Sequence, residues 1–409
     1  MPRQRSKHSL SLRLTWGEVS GALGDLGVLL PLAVALITVN GLSATGVFFG
    51  VGLAYILTGL IYRLPLPVQP LKAVAAIAIA QGLSGRVVVA AGWWMGLLLL
   101  LFAITDAARW LRRFFTRPVI RGIQLGLGLL LARSGLLLAS SRQIIPGGAE
   151  QVIRLVTRPV PVGWSLASVS LLLLLWALRR RRWVASLIVL SFGVLVALTF
   201  GGAIAGLGEV RLGLSLPRPV LPRLSDLATA LVLLVLPQIP LTLGNAVFAT
   251  VDTARVYFGA DARRVTPRTL LATMGVSQVV GALFGSVPVC HGSGGLTAHY
   301  RLGARTGLAS VLMGGLCLGL ALFVDGNVLP ILALVPYPVL GTLLTFVGVQ
   351  HGLLARDLSG WEDGAVALVT AAVGFATRNL AFGFGAGIAL QHVMRLAWRI
   401  RARRARIPS

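Results

Sequence analysis

Acidic side chains are scarce in this sequence and lysine is nearly absent: 12 Asp plus Glu stand against 37 Lys plus Arg, and 35 of those cations are arginine. Charged residues of both signs fill only 12% of 409 positions, apolar residues fill 56%, and mean hydropathy is +0.86. No water-soluble domain of this size could wrap such a chain in polar surface, so the composition excludes a soluble fold and calls for a bilayer. The two cysteines, Cys290 and Cys317, are too few for a disulfide framework or a metal-ligand set and leave the redox compartment open. His291 and His299 are eight apart without other clustered ligands, so no metal site is expected. A P-loop, a Rossmann glycine pattern after a strand, and a nucleophile grouped with a base and an orienter are all missing. Nothing therefore points to an enzyme or a cofactor.

The formal charge of +25 would suggest nucleic-acid binding in a soluble protein. Placement argues otherwise, because the cations sit in short clusters between apolar runs: Arg3 to Arg13, Arg109 to Arg117, Arg179 to Arg182, Arg255 to Arg268, Arg301 to Arg305 and Arg395 to Arg406. We read fourteen apolar segments, at 18 to 38, 44 to 62, 70 to 82, 87 to 106, 119 to 139, 163 to 178, 184 to 201, 226 to 250, 268 to 286, 291 to 302, 307 to 324, 328 to 349, 364 to 376 and 379 to 398. Most approach the roughly 20 residues a spanning helix needs, whereas segments three and ten are too short to span. With both basic termini cytoplasmic, each of those clusters falls in an inside loop, and Arg142, Arg154 and Arg158 are the exceptions. The expectation is a multi-pass protein of the cytoplasmic membrane, with no removable signal peptide and no long soluble domain.

Three short matches recur at nearly one offset. Leu23-Gly24-Asp25 matches Leu243-Gly244-Asn245 at 220, Pro67-Val68 matches Pro288-Val289 at 221, and Pro118-Val119-Ile120 matches Pro338-Val339-Leu340 at 220. They divide the chain into a basic tail (1–17), a first seven-segment repeat (18–201), an extracytoplasmic connector (202–225), a second repeat (226–398) and a second basic tail (399–409). Seven is odd, so the halves are inverted in the membrane. Inverted repeats with interrupted helices at matching positions are the signature of secondary transporters. The fold class expected is an all-α polytopic 7+7 inverted-repeat transporter, in which two short half-helices each follow an extended strand.

Those half-helices locate a candidate site. In segment three Pro65 and Pro67 forbid a helix, while Pro70 suits a helix's first turn, which Leu71 to Ala80 continue. Segment ten repeats the design with Pro288, His291, Gly292, Ser293, Gly294 and Gly295. Two inverted half-helices point their N-termini at each other, and each offers unpaired N–H groups and about half a positive charge, a setting for a small anion. The candidate binding residues are Gln69, Pro70, Lys72, Gln238, Asn245, His291, Gly292, Ser293, Gly294 and Gly295. Lys72 is one of only two lysines among 35 arginines, which suggests that a compact ammonium is needed where a planar guanidinium would not fit. The alternative is a lysine that snorkels to the interface. Gln238 and Asn245 lie about two helical turns apart and can face one cavity, or else bond between helices. His291 can reach substrate or the strand. Asp25, the repeat partner of Asn245, is a candidate coupling carboxylate, or a structural partner for Lys72. Glu18 reads as interfacial.

At these residues the chain resembles the molybdate transporter family of the sulfate permease superfamily. The stretches are Gly21 to Pro31, Pro67-Val-Gln-Pro-Leu-Lys-Ala-Val-Ala-Ala76 and Phe284 to Thr306, supported by Pro237 to Asn245. The likeness runs along essentially the whole chain. It implies a core domain of segments one to four and eight to eleven that moves against a gate domain of the rest, without the cytoplasmic regulatory domain of sulfate permeases. It admits proton coupling and a homodimer through the gate domain. Leu71 and Val287 stand where methionine is expected, and Gln238 replaces the acid usual in sulfate permeases, which puts coupling through that position in doubt. The function implied is molybdate import, with sulfate or tungstate as alternatives. Further off are a nucleobase transporter, which would want carboxylates in segments eight and ten, and an anion channel.

Overall fold

The computed structural model describes residues 14–105, 116–141, 143–145, 152–155, 158–180, 185–199, 207–208, 210–324 and 329–404. Arg3 to Arg13, Arg109 to Arg113, Arg142, Arg181, Arg182 and 405–409 fall outside them, as do 201–206 and 209 around the start of the connector. The described chain is a bundle of helices at the expected places. Segment one is Trp16–Gly24 and Leu26–Asn40, two is Ala44–Tyr62, three is Lys72–Gln81, four is Gly85–Ile104, five is Arg117–Ala139, six is Val162–Arg179 and seven is Ala185–Thr199. Eight is the continuous run Leu224–Arg264, nine is Pro267–Leu283, ten is Ser293–Arg301 and eleven is Leu308–Phe323. Tyr337–Leu353, Trp361–Ala376 and Leu380–Arg404 carry twelve to fourteen. Among the described residues, eight helices are long and apolar enough to cross a membrane.

Four local expectations are corrected. Segment eight does not stop at 250 but runs on to Arg264. Segment twelve is not one helix: Leu329–Leu332 is separate from Tyr337–Leu353, because Pro336, extended at the N-cap of the second, has no N–H to continue the first. Pro70 is not in the first helical turn. It is a strand residue paired with Val289, and the helix begins at Lys72 with Leu71 extended at its N-cap. Glu18 is buried rather than interfacial, and its Oε1 accepts the N–H groups of Arg305 and Thr306 at 3.0 Å each.

The two interrupted segments meet strand to strand. Gln69 lies opposite Cys290 and Pro70 opposite Val289, antiparallel, and Leu71 N–H donates to Pro288 O at 2.8 Å. Gln69 and Cys290 are 221 apart, the offset of the flanking sequence match, so the crossing pairs positions that correspond between the halves. Such short strands leave backbone groups that lipid cannot satisfy. Protein satisfies two of them: Gln278 Nε2 donates to Val289 O (2.9 Å) and Ser310 Oγ to Leu66 O (2.8 Å). At the far end of segment three, Asn40 Nδ2 donates to Ala78 O (2.8 Å) and Leu83 O (2.6 Å). Those bonds close the helix where Gly82 turns left-handed at φ 62°.

Packing separates the helices into two bodies and is itself two-fold. Segment two lies on eleven, and its counterpart nine lies on four; two also meets nine, and five meets twelve. In the second body thirteen packs on five and six packs on twelve. Every one of these contacts maps onto itself or onto another when the halves are exchanged. The five–twelve seam is made by glycines: a Cβ at Gly128 would lie 2.5 Å from Gly348 O, and one at Gly135 would lie 2.5 Å from Gly341 O. Close backbone approach of this kind supplies the van der Waals contact that binds helices where lipid offers no hydrophobic drive. Segments one, three and eight of the first body face five, seven, twelve and fourteen of the second.

Candidate functional site

Segment eight is shaped by its prolines. Pro237 and Pro240 lack the N–H that would continue an α-ladder, and the stretches Leu231–Val235 and Thr242–Ala249 on either side are π-helical. Wide turns of this kind recur at functional sites. Here they direct Gln238 and Asn245 to one cavity, which is lined by Lys72, Gln124, Leu127, Gln238, Leu241, Asn245, Ala246, Cys290 and His351. The cavity therefore lies between the two bodies, because Gln124 and His351 belong to segments five and twelve.

The two half-helix N-termini differ in how they are capped. Gln238 is buried, and its Oε1 accepts Ala73 N–H at 3.0 Å and Val74 N–H at 3.4 Å. Its Nε2 donates to Thr242 Oγ1 at 3.0 Å. An amide of segment eight thus fills the place in which an anion was expected to meet segment three. Segment ten starts at Ser293 after Gly292, with no side-chain hydrogen bond at the cap. Gly294 is exposed, and a Cβ there would meet nothing within 4 Å. Ser293 Oγ donates to Asn245 Oδ1 at 2.8 Å.

Lys72 is half-buried at the first helical position of segment three. Its Nζ donates to Gln69 Oε1 at 3.2 Å. Gly292 stands close by: a Cβ on it would lie 3.7 Å from Lys72 Nζ, 3.8 Å from Gln69 Oε1 and 3.9 Å from Asn245 Nδ2. Lysine, amide and the start of segment ten therefore converge on one small volume. Gly295 faces elsewhere; a Cβ there would lie 2.7 Å from Pro67 Cγ and 2.8 Å from Gln69 Nε2, so its absent side chain lets the strand cross the helix. Pro70 has no N–H to offer.

Behind Lys72 lies a buried polar chain. Gln69 Nε2 donates to Asp25 Oδ1, Tyr55 OH donates to Asp25 Oδ2, and His299 Nε2 lies 3.3 Å from the same Oδ2. Asp25 sits where segment one breaks, between Gly24 and Leu26. The basic side chain that stands against it is His299, not Lys72. His291 Nδ1 lies 3.0 Å from Pro67 O, and the ring meets Tyr62 edge-on. That bond ties the two crossing strands together.

Four polar residues of this network were not reached from the sequence. Tyr55 and His299 meet Asp25 only through tertiary packing. Gln124 and His351 are polar positions inside apolar helices, a signal that was present, but no repeat match drew attention to them.

Comparison with known proteins follows the same lines. A family model described as "Molybdate transporter of MFS superfamily" matches residues 17–131 and 230–350. "Molybdate transporter 2" of Arabidopsis thaliana is 30% identical over 424 aligned residues, covering 96% of this chain and 89% of the relative. "Molybdate transporter 1" of Chlamydomonas reinhardtii is 28% identical, covering 92% and 91% respectively. In structure the chain is similar to the transmembrane domain of the cyanobacterial bicarbonate transporter BicA, with TM-score 0.64 at 16% identity over 92% of this chain and 96% of that one. It is also similar to the murine Solute Carrier 26 anion transporter Slc26a9 in the inward-facing state, with TM-score 0.63 at 14% identity over 97% and 70%. These likenesses give the fold as the inverted seven-plus-seven kind, not the parallel six-helix halves of the major facilitator fold that the family's description names.

Proposed function

Because the chain belongs to the molybdate transporter family, we propose that it imports molybdate across the cytoplasmic membrane as a secondary transporter, with both termini on the cytoplasmic side. The family and its relatives are transporters and not enzymes, and the fold is that of anion transporters. The observation that carries the substrate class is the donor-rich volume at the start of segment ten. Lys72 Nζ, Asn245 Nδ2 and the uncapped N-terminus at Ser293 and Gly294 surround it. Ammonium, amide and helix-start N–H groups are donors, which suits an oxyanion.

In this reading Lys72, Asn245, Gly292, Ser293 and Gly294 contact the anion. Gln69 holds Lys72, and Gln238 fixes the start of segment three. Gly295, Pro70 and His291 serve the strand crossing. For Asp25 the reading is positional: three neighbours hold its carboxylate, which in turn orients Gln69. The repeats 18–201 and 226–398 supply a core that carries the site and moves against the gate, with Gln124 and His351 on the opposing wall. Calorimetry with purified protein tests the substrate class. Molybdate and tungstate are expected to bind and to displace each other, with sulfate weaker; equal binding of chloride and no binding of molybdate would overturn it.

A further inference from the structure

Donors and acceptors around the cavity do not balance, and the imbalance falls on one residue. Lys72 offers only N–H groups. Gln124 spends its Oε1 on Arg121 Nη1 at 2.8 Å, and Asn245 spends its Oδ1 on Ser293 Oγ at 2.8 Å, so each keeps an NH₂ group to offer. His351 lines the same cavity and is the exception. Its Nδ1 lies 2.9 Å from the carbonyl of Val347, one turn back on its own helix. A carbonyl only accepts, so Nδ1 carries the proton, and in the neutral ring Nε2 is a bare lone pair. A lone pair repels an oxyanion. Without breaking the Val347 bond, the ring becomes a donor only by taking a second proton.

We propose that His351 is a substrate-linked proton site: an oxyanion enters the cavity together with one proton from the solution it leaves, and that proton goes onto His351 Nε2. This rests on the oxyanion reading above, and no bond of the anion is made or broken. The surrounding charges make the proton conditional. Lys72 lines the same cavity, and Arg121 stands behind Gln124, so a further cation is opposed while the site is empty. The other ionisable neighbours are few. Leu26–Asn40 and Ala185–Thr199, which pack on segment twelve, carry none; Val162–Arg179 carries Arg179; segment five carries Arg117, Arg121 and Arg133; and the strand before segment ten carries Cys290. Tyr337 stands at the other end of segment twelve, and beyond the helix end lie Arg356 and Asp357, the latter held by Arg117 and Arg121. A dianion between Lys72 and His351 reverses the opposition, and His351 lies in the last turn of its helix, where the dipole favours a cation. Linkage then requires that the proton strengthen anion binding by the factor with which the anion strengthens proton binding. The loaded cavity holds Lys72 and His351 as cations against a dianion, one cation from each moving body.

Calorimetry of the full chain with molybdate, near neutral pH and in two buffers of different ionisation enthalpy, reads the proton count directly. Between the titration of the ring in the empty cavity and that of the loaded ring, wild type is expected to take up about one proton per anion and its affinity to fall about tenfold per pH unit. His351→Gln is expected to bind more weakly with uptake near zero, and Asp25→Asn to keep the uptake. Full proton uptake by His351→Gln would overturn the proposal, and its loss in Asp25→Asn would move the proton to the Asp25–His299 pair. Wild-type binding without proton uptake, or with affinity flat in pH, would also overturn it while leaving the oxyanion reading intact. Failure of wild type to bind molybdate, tungstate or sulfate would remove both. The two wild-type measurements can overturn the proton linkage even where a variant does not fold.

Discussion

Lys72 carries the one formal charge that a half-helix start brings to the cavity, so its removal has a defined cost. A hydrogen bond to a charged partner is worth about 1.5–3 kcal/mol, and Lys72→Ala should lower molybdate affinity by roughly ten- to more than a hundredfold while size-exclusion profiles stay unchanged. Lys72→Arg should not restore binding, because the planar guanidinium needs room that Gln69 and Gly292 occupy. Wild-type affinity in Lys72→Ala would return this lysine to a snorkelling role. The adjacent glycines separate binding from packing. Gly295→Ala forces a Cβ to 2.7 Å from Pro67 Cγ and should cost about 1–3 kcal/mol of stability. Gly294→Ala, in open space, should stay within about 0.5 kcal/mol; thermal unfolding in detergent reads both. These residues were legible because glycine, proline and a rare lysine are conspicuous in an apolar, arginine-rich chain. The bonds of Asp25 were not, since Tyr55 and His299 come from segments two and ten, and no local spacing links them.

At the scale of elements, the sequence indicated that two helices are interrupted but not how their ends are closed. Proline spacing and the repeat offset located the strands, and the glycine run located the start of segment ten. The cap on segment three escaped, because Gln238 reaches Ala73 and Val74 from 165 and 164 positions away, and only the π-helical turns bring it there. A test follows from this cap. Gln238→Glu keeps an acceptor for both N–H groups, so stability should change by less than about 1 kcal/mol, whereas Gln238→Leu uncaps the helix and should cost about 0.5–2 kcal/mol. The carboxylate of Gln238→Glu adds negative charge beside a dianion, so molybdate affinity at neutral pH should fall by about tenfold or more. The sign is fixed by the group: affinity relative to wild type at the same pH should recover as pH falls and the new carboxyl takes a proton. Calorimetry across pH checks it, and unchanged affinity at neutral pH would place the anion away from Gln238.

For the whole molecule, hydropathy and the inverted repeat foretold the architecture, because the requirement that each segment satisfy its backbone in lipid leaves few alternatives. The contact pattern adds what a linear reading lacks, a division into two bodies with the cavity on their boundary. Lys72 and Asn245 ride on one body, Gln124 and His351 on the other, and a relative movement would open or complete the anion's surroundings. The choice of molybdate over sulfate has a different basis, since both are tetrahedral dianions and their discrimination depends on size. It rests on the family. Uptake of radiolabelled molybdate into proteoliposomes, with sulfate as competitor and an inward proton gradient switched on or off, tests the account most directly. Saturable accumulation that is stimulated by the gradient, resists excess sulfate and is lost in Lys72→Ala is the predicted result. Accumulation that sulfate abolishes, or that proceeds at the wild-type rate in Lys72→Ala, would contradict it.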